Sequence, residues 1–234
     1  MTANSSPYDG ILLIDKPSGR TSFSIVPVLR KRLGIQKIGH AGTLDPFATG
    51  LLVFLIGRNY TRLATTFLAD DKEYLATVFL GVERDTYDRD GVVTSVSDSV
   101  PALDEVENAI DAFQGEQEQI PPMYSAKKVD GKRLYLSARE GLVVERQPSL
   151  VHLRIELRRY MYPEIHLRIV CSKGTYIRSL AHDLGRVLGC GAHVSHLRRL
   201  RSGIFCVDNA LPFDALEKSC DLVENNLMQV TNVR

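Results

Sequence analysis

The 234-residue chain predicts an α+β fold, a mixed and mostly antiparallel sheet flanked by helices and loops. Three observations lead there. Val151, Leu153, Ile155 and Leu157 alternate with His152, Arg154, Glu156 and Arg158, the period of a half-buried strand. Ile165 to Cys171 follows as its antiparallel neighbour, across a turn from Tyr160 to Glu164. Leu51 to Ile56 is a continuous apolar run closed by Gly57, too short for a bilayer and suited to a buried strand. Helical spacing appears at Val106, Ile110 and Phe113, in an acidic surface helix that starts near Leu103.

The remaining elements follow in chain order. Ile11 to Ile14 reads as a short buried strand, with turn chemistry after it at Asp15-Lys16-Pro17-Ser18-Gly19. Thr21 and Ser22 can cap a helix that runs to about Leu33 and stops at Gly34, with Pro27 kinking its first turns. Arg30, Lys31 and Arg32 in its last turn complement the helix dipole. A helix is predicted from about Tyr60 to Phe67, a strand from Glu73 to Leu80, a turn from Asp85 to Gly91 and a strand from Val92 to Val96. Gln119 to Lys132 reads as an ordered irregular loop, Arg133 to Glu140 as a basic helix ended by Gly141, and Tyr176 to Leu188 as a helix. An arginine-rich strand from His196 to Phe205 and a polar tail close the chain.

Net charge is only +1, but it is unevenly spread. Between Glu83 and Ile120 eleven acidic residues face two basic ones, and between Val151 and Ser202 ten basic residues face three acidic ones. Every ionic residue from Lys16 to Lys37 is positive. Two basic segments could therefore line a polyanion site, and the acidic one would avoid it. Four cysteines without a CxxC pair fit a reducing, cytoplasmic setting. The N-terminus shows no secretory signal, and no segment reaches transmembrane length, so no membrane partner is expected.

Asp45 is the only charged residue in the twenty from Ile38 to Gly57. Gly39, Gly42 and Gly50 punctuate that stretch and Pro46 stiffens it, so Asp45 is expected on a rigid, glycine-flanked loop. It could simply shape a turn. A functional role would require a cation from elsewhere, because a desolvated carboxylate costs several kcal/mol unless it is met. Arg178 is the candidate, since a cation in the first turn of a helix opposes the dipole and calls for an anion opposite it. Cys190, His193 and His196 lie close enough together to ligate zinc, but a fourth ligand at suitable spacing is missing. Nucleophile elbow, phosphate loop and dinucleotide fingerprint are all absent. A carboxylate, an arginine, a tyrosine and basic segments remain, a set suited to cofactor-free chemistry on a nucleoside in RNA. A catalytically idle RNA-binding protein and an enzyme of free nucleotides stay open on these residues alone.

Several motifs resemble those of the tRNA pseudouridine synthase B family, in order along nearly the whole chain: GILLIDKPSGRTS, GHAGTLDPFATG, KEY at Lys72 to Tyr74, PPMYSAKKVDGKRLYLSAREG, GTYIRSLAHDLG and GAHVSHLRRLRSG. The resemblance implies a pseudouridine-synthase-like fold, Asp45 as the catalytic aspartate, and isomerisation of uridine 55 in the TΨC loop of tRNA without metal or cofactor. It further implies Tyr74 stacked on the flipped base, Arg178 paired with Asp45, and substrate contacts from Lys16, His40, Lys127, Tyr176 and Leu197. Ala41 and Arg84 stand where the family usually or often has threonine. A single catalytic domain over residues 1–234 is expected, with an RNA-gripping insertion at about 119–147. The further small RNA-binding domain of longer members is expected to be absent, since little chain follows Pro212. The protein is expected to act as a monomer without an obligate protein partner.

Overall fold

The computed structural model describes residues 9–68, 70–129, 131–218 and 220–229. Along the first part of the chain run β1 (Gly10–Lys16), α1 (Ile25–Leu33), β2 (Ile38–Ala41), β3 (Thr49–Ile56), α2 (Arg58–Thr61), α3 (Ala64–Leu68) and β4 (Lys72–Leu80). The middle holds β5 (Val82–Arg84), β6 (Val93–Val96), α4 (Leu103–Ala112), β7 (Gly115–Gln119), β8 (Lys128–Val129), β9 (Lys132–Arg133) and α5 (Leu134–Arg139). The last part comprises β10 (Ser149–Met161), β11 (Glu164–Cys171), α6 (Ile177–Val187), β12 (Ala192–Ser202), β13 (Phe205–Cys206), β14 (Leu211–Pro212), α7 (Phe213–Lys218) and α8 (Cys220–Asn225). These elements form two compact units, one of residues up to Glu73 and from Arg198 onward, the other Tyr74–Leu197. Strands β4 and β12 contribute residues to both.

In the first unit, β1 pairs antiparallel with β3 from Gly10 opposite Ile56 to Lys16 opposite Gly50. The other edge of β3 is shared by β2, antiparallel at its C-terminal end, and by Arg198 and Arg199 of β12, parallel at Thr49 and Gly50. Residues 42–48 are thus the loop of the β2–β3 hairpin, and Asp45 sits in it. Both faces of β1 and β3 are covered. Leu12, Ile14, Leu52 and Phe54 meet Ile25, Val26 and Leu29 of α1 and Phe213, Leu216 and Val223 of the C-terminal helices. On the opposite face Ile11, Leu13, Leu51, Val53 and Leu55 meet Phe67 and Phe205. Two-sided burial explains the unbroken apolar run, and each such side chain contributes about 1.5–3 kcal/mol.

In the second unit β10 pairs antiparallel with β11, Leu153 opposite Cys171, and on its other edge with β7, Leu153 opposite Gly115. Alternation predicted β10, and the turn from Tyr160 to Glu164 predicted β11 as its neighbour; β7, with sequence GEQEQ, is a polar edge strand that no periodicity announces. The hairpin β5–β6 and the short β8–β9 pair are separate two-stranded sheets.

Several boundaries differ from expectation for local reasons. Pro27 does not kink α1, because the helix begins at Ile25 and Pro27 falls in the first turn, where no backbone donor is needed. One 3₁₀ turn, Ser22–Ser24, precedes it, with the Ser24 N–H donating to Thr21 Oγ1 at 3.1 Å. Gly34 ends α1 at φ +66°. The helix expected from Tyr60 to Phe67 is two short helices, α2 and α3. Strand β12 begins at Ala192, four residues earlier than expected, and the supposed polar tail supplies α7 and α8.

Candidate active site

The Asp45 loop is held by the segment that follows β1. Ser22 Oγ donates to the Leu44 carbonyl at 3.0 Å and accepts from the Leu44 N–H at 2.9 Å. Gly19 N–H donates to the Pro46 carbonyl at 2.8 Å, and Ser18 Oγ to the Phe47 carbonyl at 3.0 Å. Leu44 and Phe47 are themselves buried, so Asp45 projects half-buried from a loop fixed on both sides. Lys16 completes the clamp. Its side chain is 0% exposed and its ammonium donates to the carbonyls of Pro17 at 2.9 Å, Arg20 at 2.7 Å and Pro46 at 3.2 Å. Burial lowers its pKa to about 8, the Asp45 carboxylate working against that fall and the Arg199 cation adding to it.

Arg199, which motif reading did not single out, ties the same loop from behind. It is 1% exposed; Nε donates to the Leu51 carbonyl at 2.7 Å and Nη2 to the Gly42 carbonyl at 3.2 Å. Gly50, at φ +101°, lies so close to β12 that a Cβ there would stand 2.3 Å from the Arg199 carbonyl oxygen, which requires glycine twice over. Its neighbour Arg198 forms a bidentate pair with Asp15 at 2.9 and 2.7 Å. His40 on β2 meets Phe54 edge-on, centroids 6.1 Å apart. Burial, then the Arg199 charge, push its pKa below the ordinary histidine value, so the imidazole is neutral at physiological pH.

The second unit holds Arg178, Tyr74, Tyr176, Leu197 and Lys127. Arg178 lies in the first turn of α6, 4% exposed, and the anion its position demands is present in its own unit. The Asp88 carboxylate stands 3.5 Å from Nη1, which also donates to the Thr86 carbonyl at 3.0 Å, while Nη2 donates to the Tyr124 carbonyl at 2.8 Å. Asp88 is fixed in turn by Thr86 Oγ1 at 2.7 Å and the Asp90 N–H at 3.1 Å. As one acid among eleven in an acidic stretch, it carries no sequence signal of its own. Tyr176 caps α6 and exchanges two hydrogen bonds with the buried Gln119 amide, at 2.7 and 3.0 Å. Ser179 Oγ donates to the Ile120 carbonyl at 2.8 Å, so the start of the insertion is knitted to α6. Within the insertion Lys127 donates to Ser149 Oγ at 2.7 Å. Tyr74 and Leu197 are buried on β4 and β12. His193, weighed as a zinc ligand, places Nδ1 2.8 Å from the Val82 carbonyl, and no cluster of three metal-ligating side chains occurs among the described residues. No helix of the described residues is long and apolar enough to cross a membrane.

Residues 30–177 match the model of the TruB family pseudouridylate synthase N-terminal domain, and residues 178–231 that of the tRNA pseudouridylate synthase B C-terminal domain. The chain belongs to the TruB family. Similar TruB-family proteins named tRNA pseudouridine synthase B include one from Protochlamydia amoebophila (strain UWE25), 57% identical over 94% of this chain and 84% of the relative. Another from Chlamydia pneumoniae is 55% identical over 89% of each chain. One from Opitutus terrae (strain DSM 11246 / JCM 15787 / PB90-1) is 47% identical over 89% of this chain and 87% of its own. Among solved structures, a Cbf5-Nop10-Gar1 complex superposes with a TM-score of 0.72 at 27% identity, over 95% of this chain and 60% of that one. An H/ACA RNP bound to a substrate RNA containing 2'-deoxyuridine gives 0.67 at 26%, over 97% and 63%. This TruB-family chain thus spans about three-fifths of those solved chains. The boundary between the two matched models, after Ile177, falls inside α6, whereas the compact units divide after Glu73 and after Leu197.

Proposed function

We propose that this TruB-family protein isomerises uridine to pseudouridine at position 55 in the TΨC loop of tRNA, with Asp45 as the catalytic carboxylate. The observation that carries this reading is a carboxylate projecting from a hairpin loop clamped by Lys16, Ser18 and Ser22 on one side and Arg199 on the other, in a chain of this family. Such fixation suits a nucleophile or base that must meet one sugar carbon. The C1′–N1 bond breaks, the freed uracil turns, C5 joins C1′, the C5 proton leaves and N1 gains one, so no atoms are lost overall. Asp45 begins either route, addition to C1′ or abstraction of a sugar proton. Arg178 serves as its charge partner and Tyr74 stacks on the flipped base. His40, kept neutral, inserts among the splayed loop bases, while Lys127, Tyr176 and Leu197 complete the substrate contacts. Lys16 acts through the loop it clamps.

The two basic segments hold tRNA phosphates. In this reading the enzyme works in the cytoplasm as a monomer, without metal, cofactor or protein partner, as one catalytic domain with its insertion at about 119–147 closing over the RNA. Incubation with an unmodified tRNA transcript, followed by carbodiimide mapping of pseudouridine, tests it. A new stop at position 55 alone is expected. Tight binding of the transcript with no pseudouridine formed would favour the idle RNA-binding protein instead.

A further inference from the structure

The turn that holds Arg178 contains a backbone outlier. Tyr87, between Thr86 and Asp88, has φ +63° and is the only non-glycine with positive φ among the described residues. A residue with a Cβ enters that region at a cost, and such strain persists where the surroundings over-determine it. Backbone chemistry alone would favour glycine at this point. The Tyr87 ring lies flat on His182, with centroids 3.9 Å apart and planes inclined by 9°.

The geometry links this stack to the arginine twice. Both residues flanking Tyr87 hold the guanidinium, Thr86 through its carbonyl and Asp88 through its carboxylate. His182 stands four residues after Arg178 on α6, one helical turn further along the same face. The turn that grips the guanidinium is therefore fastened to the helix that carries it at a second point. On its far side the turn is closed by Val194 N–H donating to the Tyr87 carbonyl and Arg89 N–H to the Val194 carbonyl, both at 3.0 Å. Glu83 adds a carboxylate oxygen 3.5 Å from His182 Nδ1.

We infer that the Tyr87–His182 stack is a positioning brace that sets the orientation of the Arg178 guanidinium and thereby controls turnover, not tRNA affinity. This rests on the reading that places Arg178 in the active site. Tyr87 and His182 are positioning residues, acting through Thr86, Asp88 and α6.

The test compares single-turnover rate and tRNA affinity for Tyr87→Gly, His182→Ala, their double variant and the ring-retaining Tyr87→Phe and His182→Phe, with Arg178→Ala in parallel. Tyr87→Gly accepts the positive φ, so it removes the ring without straining the turn. Loss of the stack is expected to slow turnover about tenfold in Tyr87→Gly and His182→Ala at unchanged tRNA affinity. The double variant is expected to be no slower than the slower single one, and the phenylalanine variants to stay close to the parent. Parental rates in both Tyr87→Gly and His182→Ala, or equal losses in the phenylalanine variants, would overturn the brace. If His182→Ala does not fold, Tyr87→Gly decides. If Arg178→Ala collapses while both ring-removing variants turn over normally, the brace alone fails. If Arg178→Ala itself turns over at the parental rate, the assignment of Arg178 to the site fails first.

Discussion

Replacing Lys16 by methionine removes a buried ammonium that spans three carbonyls around the Asp45 loop, those of Pro17, Arg20 and Pro46. Hydrogen bonds from a charged donor are worth roughly 1.5–3 kcal/mol each, so three of them amount to roughly 4.5–9 kcal/mol. Against that stands the burial of the charge. A pKa lowered from 10.5 to about 8 means the ammonium is disfavoured by roughly 3 kcal/mol relative to water. Lys16→Met leaves the three carbonyls without their donor and is expected to be destabilised by about 1–3 kcal/mol, which for a chain of this size lowers Tm by roughly 2–12 °C. Turnover should fall with it, because the Pro46 side of the loop loses its anchor and Asp45 loses a nearby cation.

Titration of Lys16 gives a second reading of the same group. Below pH 8 the lysine is charged in the folded and unfolded chain alike, and the burial cost is fully present. Between pH 8 and 10.5 the unfolded chain keeps a proton that the folded one has released, so the stability of the parent relative to Lys16→Met rises with pH. Turnover of the parent should fall over the same range, since a neutral amine has two hydrogens for three carbonyls. Urea melts of both proteins from pH 7 to 10, with single-turnover rates alongside, measure both trends. An unchanged Tm in Lys16→Met together with parental turnover would refute the clamp, as would a parental rate that stays flat beyond pH 9.

Gly50→Ala should be among the most damaging small substitutions: its Cβ would meet the Arg199 carbonyl at 2.3 Å from a φ of +101°, a loss of about 3–5 kcal/mol in urea melts. Gly19→Ala, at φ +83° with nothing within 4 Å of its Cβ, should cost only about 1–2 kcal/mol. Asp88→Asn takes a counter-charge from the buried Arg178 and is expected to cost about 3–5 kcal/mol, with a matching collapse of turnover; a Tm and rate equal to the parent would contradict that arrangement. Affinity for tRNA should fall steeply with salt, and neutralising one phosphate-contacting lysine or arginine should reduce the slope of log K against log salt by about one; a slope near zero would contradict binding through the basic segments.

Much of the sheet was legible because its strands keep their period. Two-sided burial wrote the apolar run of β3, and one-sided burial wrote the alternation of β10. The Asp45 loop was legible for a related reason: a single charge among apolar and glycine residues stands out. Charges that the fold buries were harder to see. Lys16 and Arg199 look like members of basic clusters in the sequence, yet both are spent on backbone carbonyls around the loop. Arg199 did carry a faint signal, two residues after the buried Leu197 on the same face of β12. Strand β7 gave none, being a polar edge strand recruited by β10. The C-terminal helices were missed because polar residues dominate there, although Phe213 and Leu216 stand at helical spacing and Val223 follows seven residues later. Dipole reasoning demanded an anion for Arg178 and pointed to Asp45; Asp88, 3.5 Å from Nη1, is one that composition could not distinguish from its ten acidic neighbours.

Tritium release from tRNA labelled at C5 of uridine tests the assignment of Asp45 most directly, because binding alone cannot exchange that atom. With the parent enzyme the label should be released as pseudouridine forms. With Asp45→Asn, which keeps the size of the side chain, tRNA should still bind while release falls to background. Parental release from a clean Asp45→Asn preparation would show that this carboxylate does not do the chemistry.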